Sequence, residues 1–527
     1  MKDSASPYTA SVSGINPFTW TFLGPQPVLT SDSSNPFSGS IRDLVLDPHN
    51  TSVLYVLTYL GKVWKSIDAG QTWAPLLDYS PVTVVDKLVA DPVQPNTLYA
   101  ENGDLFVSRD GGQTWTPLPR AVQDPAQNCS TTGFAVSPSG GAWLALEDCQ
   151  PGSTGLYRST DGGITWSLVL QPARIFNGDL RFNPGNDSYA YFAATDDFSL
   201  GSVHISTNQG VAWTDISPSA GFVSQSYPGL GSLQIAPAPS SPATLYLLAG
   251  VDGQAVTNVL YKTSDGGATW QQATNLPPDV GLPGTPGLIS VHPLDPTLLF
   301  FGSTNLFRSQ DGGSTWQNVM TAASGLSLHV DQHALVFTAD GKTIYEGNDG
   351  GIWTAANPYG SQIGWTDLNT GLGTAEIYSV AIDPQNTSRA VAGTQDNSTL
   401  WFTGSPGWTQ AGVCGDGFAT AVDPSSLSTV YAACGETLFK SINGGVPGSW
   451  VQIGAGLPGF ALTLDDSTPN VLYAGNPGGD SALYQSLDGG GTWRQVFAGS
   501  GSQFIDQVAV SPSNSNIVYL LIGDYQT

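Results

Sequence analysis

Residues 105–118 read Leu-Phe-Val-Ser-Arg-Asp-Gly-Gly-Gln-Thr-Trp-Thr-Pro-Leu, and this stretch decides the fold. Its centre is the pattern Ser-x-Asp-Gly-Gly-x-Thr-Trp. Clean copies begin at Ser108, Ser159, Ser309 and Ser486, and degraded copies begin at Ser66, Ser206, Thr263 and Ser441. A repeat with a period of roughly 40 residues indicates a stacked or radial array of one supersecondary unit.

The repeat predicts four β-strands per unit. Asp-Gly-Gly suits a hairpin turn, because glycine accepts positive φ and the Asp side chain bonds nearby backbone amides. Apolar runs flank the turn on both sides, and two further strand-like runs precede it, as in residues 43–47 and 53–57. Four antiparallel strands in each repeat are typical of a propeller blade, so we expect an all-β, multi-bladed β-propeller.

The repeated box resembles that of the Asp-box, or BNR-repeat, propeller group, which includes sialidases, xyloglucanase-type glycoside hydrolases and sortilin-type receptor domains. The resemblance covers almost the whole chain. It implies that the box is a structural turn on the outer part of the blade and takes no part in catalysis. The aspartates with this expected structural role are Asp68, Asp110, Asp161, Asp265, Asp311 and Asp488.

Inner strands are expected to begin near residues 41, 86, 132, 178, 231, 287, 328, 377, 418, 460 and 505, which gives ten blades and the start of an eleventh. One architecture is a pair of seven-bladed rings, the second incomplete, and the other is one ring of about ten blades. We expect an N-terminal extension over 1–17, a first propeller over 18–372 and a second, partial propeller over 373–527. Residues 18–25 resemble an orphan fourth strand that would close a ring.

The composition is that of an acidic protein, with 42 Asp and Glu against 16 Lys and Arg and a formal net charge of −26. Such a surface excludes nucleic acid and anionic membranes as natural partners. No apolar run is long enough for a membrane helix. The abundance of Gly, Ser, Thr and Pro favours a secreted or cell-surface protein whose leader is missing from this chain.

The four cysteines form two pairs with the same spacing and the same place in the repeat. Antiparallel neighbouring strands bring such positions within disulfide range, so we expect the bridges Cys129–Cys149 and Cys414–Cys434. The alternative is four buried free thiols. Disulfides indicate an oxidising compartment.

The seventh unit breaks the repeat and carries His329-Val-Asp331-Gln-His333, followed by Gly347-Asn-Asp349-Gly-Gly. Strand alternation would place His329, Asp331 and His333 on one face. Two imidazoles and a carboxylate suit a divalent transition metal, or alternatively acid–base chemistry. The third interpretation is that the histidines make hydrogen bonds that fix strand register. No cofactor is otherwise required.

The eighth unit carries Gln395-Asp396-Asn397 at the end of its second strand, a position that opens onto the ring face. Asp416 and Asp349 are the other carboxylates in this region. Glycosidic cleavage needs a pair of carboxylates, so Asp396, Asp349 and Asp416 are the candidate catalytic residues.

The xyloglucanase-type resemblance implies two catalytic aspartates. The position that matches the first is Tyr59, and the nearest match to the second is Asp396, although Asn397-Ser398 departs from the motif. Sialidase chemistry is excluded because the arginine triad is missing. The chain also lacks a Gly-x-Ser-x-Gly nucleophile elbow and a His-Glu-x-x-His zinc motif.

These observations favour a glycan-handling protein that binds an extended polysaccharide and, in the alternative with catalysis, hydrolyses it. Expected ligand-binding residues are Tyr59, Trp353, Gln395, Asn397, Trp401 and Trp408. A sortilin-like scaffold that binds extracellular protein or peptide, and a structural surface component, are the other two classes. The sequence leaves substrate and oligomeric state open.

Overall fold

The computed structural model shows an all-β chain, with 44 strands and no helix among the residues it describes. The described residues are 22–30, 36–77, 82–122, 128–150, 153–171, 177–195, 201–218, 230–251, 257–277, 287–322, 324–426, 428–435, 437–455, 457, 461–468, 470–475, 482–499 and 503–524. The expected strand at 18–25 and the extension at 1–17 lie wholly or mostly outside them. Within the described part of the chain, no helix has the length and apolarity needed to cross a membrane.

The chain divides into two compact units. The seven-sheet unit is Ile41–Leu368, and the short unit combines Met1–Ser40 with Asn369–Thr527. The sequence-based boundary at 18 differs from this division, because strand β1 (Val28–Leu29) pairs with a strand near Trp408 in the short unit.

Seven four-stranded antiparallel sheets make up the seven-sheet unit. Their strands are β3 (Ile41–Leu46), β4 (Leu54–Thr58), β5 (Val63–Ser66), β6 (Ala74–Pro75); β7 (Lys87–Ala90), β8 (Leu98–Glu101), β9 (Leu105–Ser108), β10 (Thr116–Pro117); β11 (Asn128–Val136), β12 (Trp143–Gln150), β13 (Gly155–Ser159), β14 (Ser167–Leu170); β15 (Asn177–Asn183), β16 (Asn186–Thr195), β17 (Gly201–Ser206), β18 (Thr214–Asp215); β19 (Leu230–Ala238), β20 (Ser241–Val251), β21 (Thr257–Thr263), β22 (Gln271–Gln272); β23 (Leu288–Val291), β24 (Leu299–Gly302), β25 (Leu306–Ser309), β26 (Gln317–Asn318); and β27 (Gln332–Phe337), β28 (Thr343–Asn348), β29 (Gly351–Ala356), β30 (Thr366–Asp367).

The inner strands of these seven sheets contact one another in a closed circuit. Each of β3, β7, β11, β15, β19, β23 and β27 touches the next, and β27 touches β3. The second strand of each sheet is buried on both faces over most of its length, and the run Leu54–Thr58 is buried throughout. Such strands are sandwiched between neighbouring sheets, which explains their continuous apolar sequence.

The short unit contains a six-stranded sheet, two four-stranded sheets and a hairpin. Their strands are β1 (Val28–Leu29), β2 (Pro36–Phe37), β31 (Ile377–Ile382), β32 (Ala390–Thr394), β33 (Thr399–Phe402), β34 (Trp408–Gln410); β35 (Thr420–Val422), β36 (Val430–Cys434), β37 (Thr437–Ser441), β38 (Trp450–Ala455); β39 (Ala461–Leu464), β40 (Leu472–Gly475), β41 (Ala482–Ser486), β42 (Arg494–Ala498); and β43 (Gln503–Val510), β44 (Val518–Asp524). Its inner strands contact in the order β31, β35, β39, β43.

Both predicted disulfides are confirmed. Cys129 and Cys149 face each other across β11 and β12, and their Cα atoms are 4.1 Å apart. Cys414 and Cys434 join the loop before β35 to the end of β36, with Cα atoms 5.4 Å apart.

The repeated box forms the same outer turn wherever it is intact. In the copy at Ser108, the Ser108 hydroxyl donates to Asp110 Oδ1 at 2.8 Å, and Asp110 accepts from the backbone and hydroxyl of Thr114 at 2.9 and 2.6 Å. These hydrogen bonds, chiefly that from the Thr114 hydroxyl, lower the pKa of Asp110 to about 2. The carboxylate is fully used in holding the turn, which supports the structural role expected of the box.

Candidate functional site

A His–Asp pair lies where β27 begins and β28 ends. His333 Nε2 and Asp349 Oδ1 are 2.7 Å apart, with the side chains 19% and 9% exposed. Asp349 directly follows β28, and the Asn348 side chain accepts a hydrogen bond from the Gly350 amide at 2.9 Å, which fixes this turn. The structure therefore joins two residues that the sequence placed in separate motifs.

The three-residue metal set His329, Asp331 and His333 is not assembled as strand alternation implied. Strand β27 starts only at Gln332, so His329 and Asp331 precede it, and Asp331 has a left-handed φ of 64°. A bulge between Gln332 and Ala334 further shifts the register at His333. Among the described residues, no group of three or more His, Cys, Asp or Glu side chains is arranged to hold a metal ion.

Two of the three candidate catalytic aspartates meet in the short unit. The backbone amide of Asp396 donates to Asp416 Oδ1 at 2.9 Å, and Asp396 occupies a left-handed turn with φ of 55°. The Ser398 amide donates to the Gly415 carbonyl at 2.8 Å, and Cys414 is tied by its disulfide to the end of β36. Asp416 thus caps the turn that presents Asp396. Asp349 belongs to the other unit.

An aromatic pair beside this turn was missed by sequence reasoning. Tyr378, on inner strand β31, is 52% exposed and stacks on Phe418 with ring centroids 5.4 Å apart and an interplanar angle of 5°. The Tyr378 hydroxyl donates to Gln395 Oε1 at 2.9 Å. Partial burial, with the nearby charges of Asp416, Glu376 and Asp396, raises the pKa of Tyr378. The available signal was an aromatic residue on an inner strand, outside any box.

The same aromatic pair borders an open cavity of about 550 Å³ within the short unit, lined further along by Phe504, Asp506 and Gln507. An exposed ring face beside carboxylates and amides offers apolar stacking together with hydrogen-bond acceptors. That combination suits a sugar ring, which has an apolar face and a rim of hydroxyl groups.

The expected ligand-binding residues divide by exposure. Tyr59 is 55% exposed in the turn that follows β4 and is free to meet a ligand. Trp353 and Trp408 are only 1% and 4% exposed, so neither ring face is open to a sugar, and their burial speaks against the expected ligand-binding role. Trp408 instead stacks on Phe402 with its Nε1 donating to the Leu23 carbonyl.

Gln395 and Trp401 are partly exposed, whereas Asn397 is 1% exposed. The Asn397 backbone and side-chain amides both donate to the Gln395 carbonyl, so this residue shapes the turn from within. Among the predicted binding residues near Asp396, Gln395 meets the aromatic pair through the hydrogen bond that its side chain accepts from Tyr378.

Comparison with known proteins agrees with this architecture. The BNR/Asp-box repeat family matches residues 106–117 and 157–168, and the chain is an Asp-box propeller. It resembles xyloglucanase-type glycoside hydrolases. A xyloglucanase of Hypocrea jecorina (strain QM6a) is 25% identical over 92% of this chain and 60% of its own length. The present chain therefore spans 60% of the length of that relative.

Solved structures show the same fold. An ancestral GH74 enzyme superposes with a TM-score of 0.66 at 17% identity, covering 92% of this chain and 74% of its own. The GH74 xyloglucanase from Xanthomonas campestris gives a TM-score of 0.53 at 18% identity, covering 92% of this chain and 84% of its own.

Proposed function

We propose that this chain binds an extended, neutral polysaccharide of the xyloglucan type, and that the stacked Tyr378–Phe418 pair is the platform for one of its sugar rings. The observation that carries the proposal is the exposed, stacked ring of Tyr378, hydrogen-bonded to Gln395 beside Asp396 and Asp416. The resemblance to xyloglucanases supports this class of ligand.

Hydrolysis is the finer part of the proposal and depends on Asp396. Its neighbour Asp416 accepts the Asp396 amide and so serves to position the turn, while Tyr59 stands where the resemblance implies a second catalytic aspartate. We therefore propose binding as the principal activity, with any bond cleavage dependent on the Asp396 carboxylate. Secretion to an oxidising compartment is supported by the two disulfides.

Binding is tested by titrating the whole protein with xyloglucan oligosaccharides and following tryptophan fluorescence or heat. We expect Tyr378→Ala to weaken binding roughly tenfold, since one aromatic stacking contact contributes about 1–1.5 kcal/mol. The exposed surface variant Tyr359→Ala serves as a matched control. Equal affinity for wild type and Tyr378→Ala, or no affinity in wild type, would refute the proposal.

Cleavage is tested by reducing-end release from the same polymers. Release by wild type that disappears in Asp396→Ala, and persists in the exposed-surface variant Asp466→Ala, would assign hydrolysis to Asp396. Binding without release would leave the chain as a carbohydrate-binding propeller and contradict the hydrolytic part.

A further inference from the structure

Residues 414–418 of the short unit, which we name the site loop, contact both the Asp396 turn and the Tyr378 ring. Three hydrogen bonds tie the site loop to residues 394–398, and they run from the Ser398 amide to the Gly415 carbonyl at 2.8 Å, from the Asp396 amide to Asp416 Oδ1 at 2.9 Å, and from the Gly417 amide to the Thr394 carbonyl at 2.9 Å. The last residue of the loop, Phe418, stacks on Tyr378. The site loop therefore supports the Asp396 turn and supplies half of the aromatic pair.

The site loop is fastened at both of its ends to the end of β36. At its first residue, Cys414 forms a disulfide with Cys434, which is the last residue of β36. At its last residue, the Phe418 amide donates to the Ala433 carbonyl at 2.9 Å. The disulfide is thus one of two anchors that hold the loop on the same short piece of strand.

Between these anchors the backbone has little preference of its own for this conformation. Two of the three intervening residues are Gly415 and Gly417, and glycine is the residue with the greatest backbone freedom. A Cβ on Gly417 would lie 2.6 Å from the Ser398 carbonyl oxygen, so the loop needs glycine to approach the turn this closely. Because such a segment gains conformational entropy when it is released, opening the disulfide should loosen the Asp416 carboxylate and the Phe418 ring.

The two disulfides of the chain differ in their access to solvent. Cys129 and Cys149 are 4% and 1% exposed, and they join strands β11 and β12, which also pair directly with each other. Cys414 and Cys434 are both partly exposed, and Cys414 lies in a loop. Since thiol–disulfide exchange requires access to a sulfur atom, an external reductant should open Cys414–Cys434 first.

We propose that the Cys414–Cys434 disulfide positions the candidate site and that its reduction disables ligand binding. The ligand part rests on the proposed polysaccharide binding, whereas the effect on the site loop does not. The two cysteines are positioning residues, because they act through Asp416 and Phe418. The site would then be complete only in an oxidised chain.

The reductant is a dithiol, and the exchange balances in two steps. One thiolate of the dithiol attacks a cysteine sulfur, the S–S bond breaks, and the other cysteine leaves as a thiolate. The second thiolate of the dithiol then displaces the first cysteine from the mixed disulfide. The dithiol is oxidised to its own disulfide, and the two cysteine thiolates take up the two protons that the dithiol has lost.

The test compares the whole protein carrying Cys414→Ala with Cys434→Ala against a matched control carrying Cys129→Ala with Cys149→Ala. Hydrogen–deuterium exchange should rise in the peptides that cover residues 394–398 and 414–418 in the first variant and stay unchanged there in the control. Affinity for xyloglucan oligosaccharides, measured by calorimetric titration, should fall about fivefold or more in the first variant alone, because binding must then order the loop.

Dithiothreitol treatment of wild type under native conditions gives the same comparison without a substitution, which covers the case of a variant that does not fold. Alkylation with iodoacetamide and peptide mapping should find Cys414 and Cys434 labelled while Cys129 and Cys149 stay bonded. Affinity should fall as this label appears, and reoxidation of an unlabelled sample should restore it.

Unchanged exchange in residues 394–398 and 414–418 once Cys414–Cys434 is open would overturn the positioning role. Raised exchange with undiminished affinity would overturn the link to binding, and prior labelling of Cys129 and Cys149 would overturn the selective reduction. If oxidised wild type binds no oligosaccharide, the proposed function fails, and the exchange measurement alone decides whether the disulfide holds the site loop.

Discussion

The two compact units are built from antiparallel sheets of the same kind, and they differ in how the faces of those sheets are covered. In the seven-sheet unit the first and last inner strands touch, and the circuit of contacts closes. In the short unit, inner strand β31 leaves Tyr378, Val380 and Ile382 more than half exposed, and strand β44 does the same with Tyr519 and Leu521. The Asp-box repeat therefore specifies the outer turn of each sheet that carries it, whereas burial of the apolar faces depends on the neighbouring sheet.

The largest expected effect is at the joint where the circuit closes. Trp73, in the first sheet, is 9% exposed and donates from Nε1 to the carbonyl of Leu368, just beyond the last sheet, at 2.8 Å. Trp73→Ala should lower the free energy of unfolding of the seven-sheet unit by about 3–5 kcal/mol, because it leaves a large cavity at this joint. The measurement is urea denaturation followed by far-UV circular dichroism.

Trp493 in the short unit is the comparator, because its Nε1 bonds only within its own turn, to the Gly490 carbonyl, and its ring is partly exposed. Trp493→Ala should lower the free energy of unfolding clearly less than Trp73→Ala does. Equal losses of stability from the two substitutions would show that the contact between the first and last sheets is no more stabilising than a contact within one sheet.

The next effect is a pH dependence expected in the seven-sheet unit. Buried glutamates occur there in three of the second strands, at Glu101, Glu147 and Glu346, whereas the second strands β32, β36, β40 and β44 of the short unit contain no glutamate. Burial raises the pKa of Glu101 to about 7.

Because the folded pKa lies above the unfolded one, the native state holds the Glu101 proton more tightly. The stabilisation that comes from this proton is fully present below the unfolded pKa of about 4.5, and it is lost as the pH rises to about 7. Glu101→Gln should remove about 3 kcal/mol of this decline, seen as a flatter stability profile for the seven-sheet unit between these pH values. A profile as steep as that of wild type would contradict the raised pKa.

Sequence reasoning reached the architecture because the repeat is local. Every expected inner-strand start lies within a few residues of an observed one, from Ile41 to Gln503, and the cysteine pairing followed from the same register. The box encodes its own turn through bonds among neighbouring residues such as Ser108, Asp110 and Thr114. Such information survives in a single sequence.

The candidate site was harder to predict from the sequence because it is built from contacts between residues that are far apart in the chain. Alternation predicted a shared face for His329, Asp331 and His333, but β27 begins too late and carries a bulge. Exposure of tryptophans also depends on neighbouring sheets, so Trp353 and Trp408 could not be recognised as buried. Conversely, Tyr378 and Phe418 are 40 positions apart in the chain, and only packing of β31 against the loop before β35 stacks them.

The smallest expected effect concerns a lysine contact between neighbouring sheets that occurs separately in each of the two units. Lys65 lies over the Tyr55 ring, 5.3 Å from its centroid, and its Nζ donates to the Gly111 carbonyl in the next sheet's box at 3.0 Å. Lys440 repeats this in the short unit, over Tyr431 and to the Gly489 carbonyl at 3.1 Å.

Lys65→Met and Lys440→Met keep the apolar stem and remove the charge, so each should cost about 1 kcal/mol, the sum of a modest cation–π contact and one hydrogen bond. Lys342→Met should be close to neutral, because the Lys342 side chain is 81% exposed. Equal losses at Lys65 and Lys440 would mean that the joint between sheets has the same strength in both units. A loss of stability confined to Lys65→Met would mean that this lysine contact contributes only in the unit whose inner strands form a closed circuit.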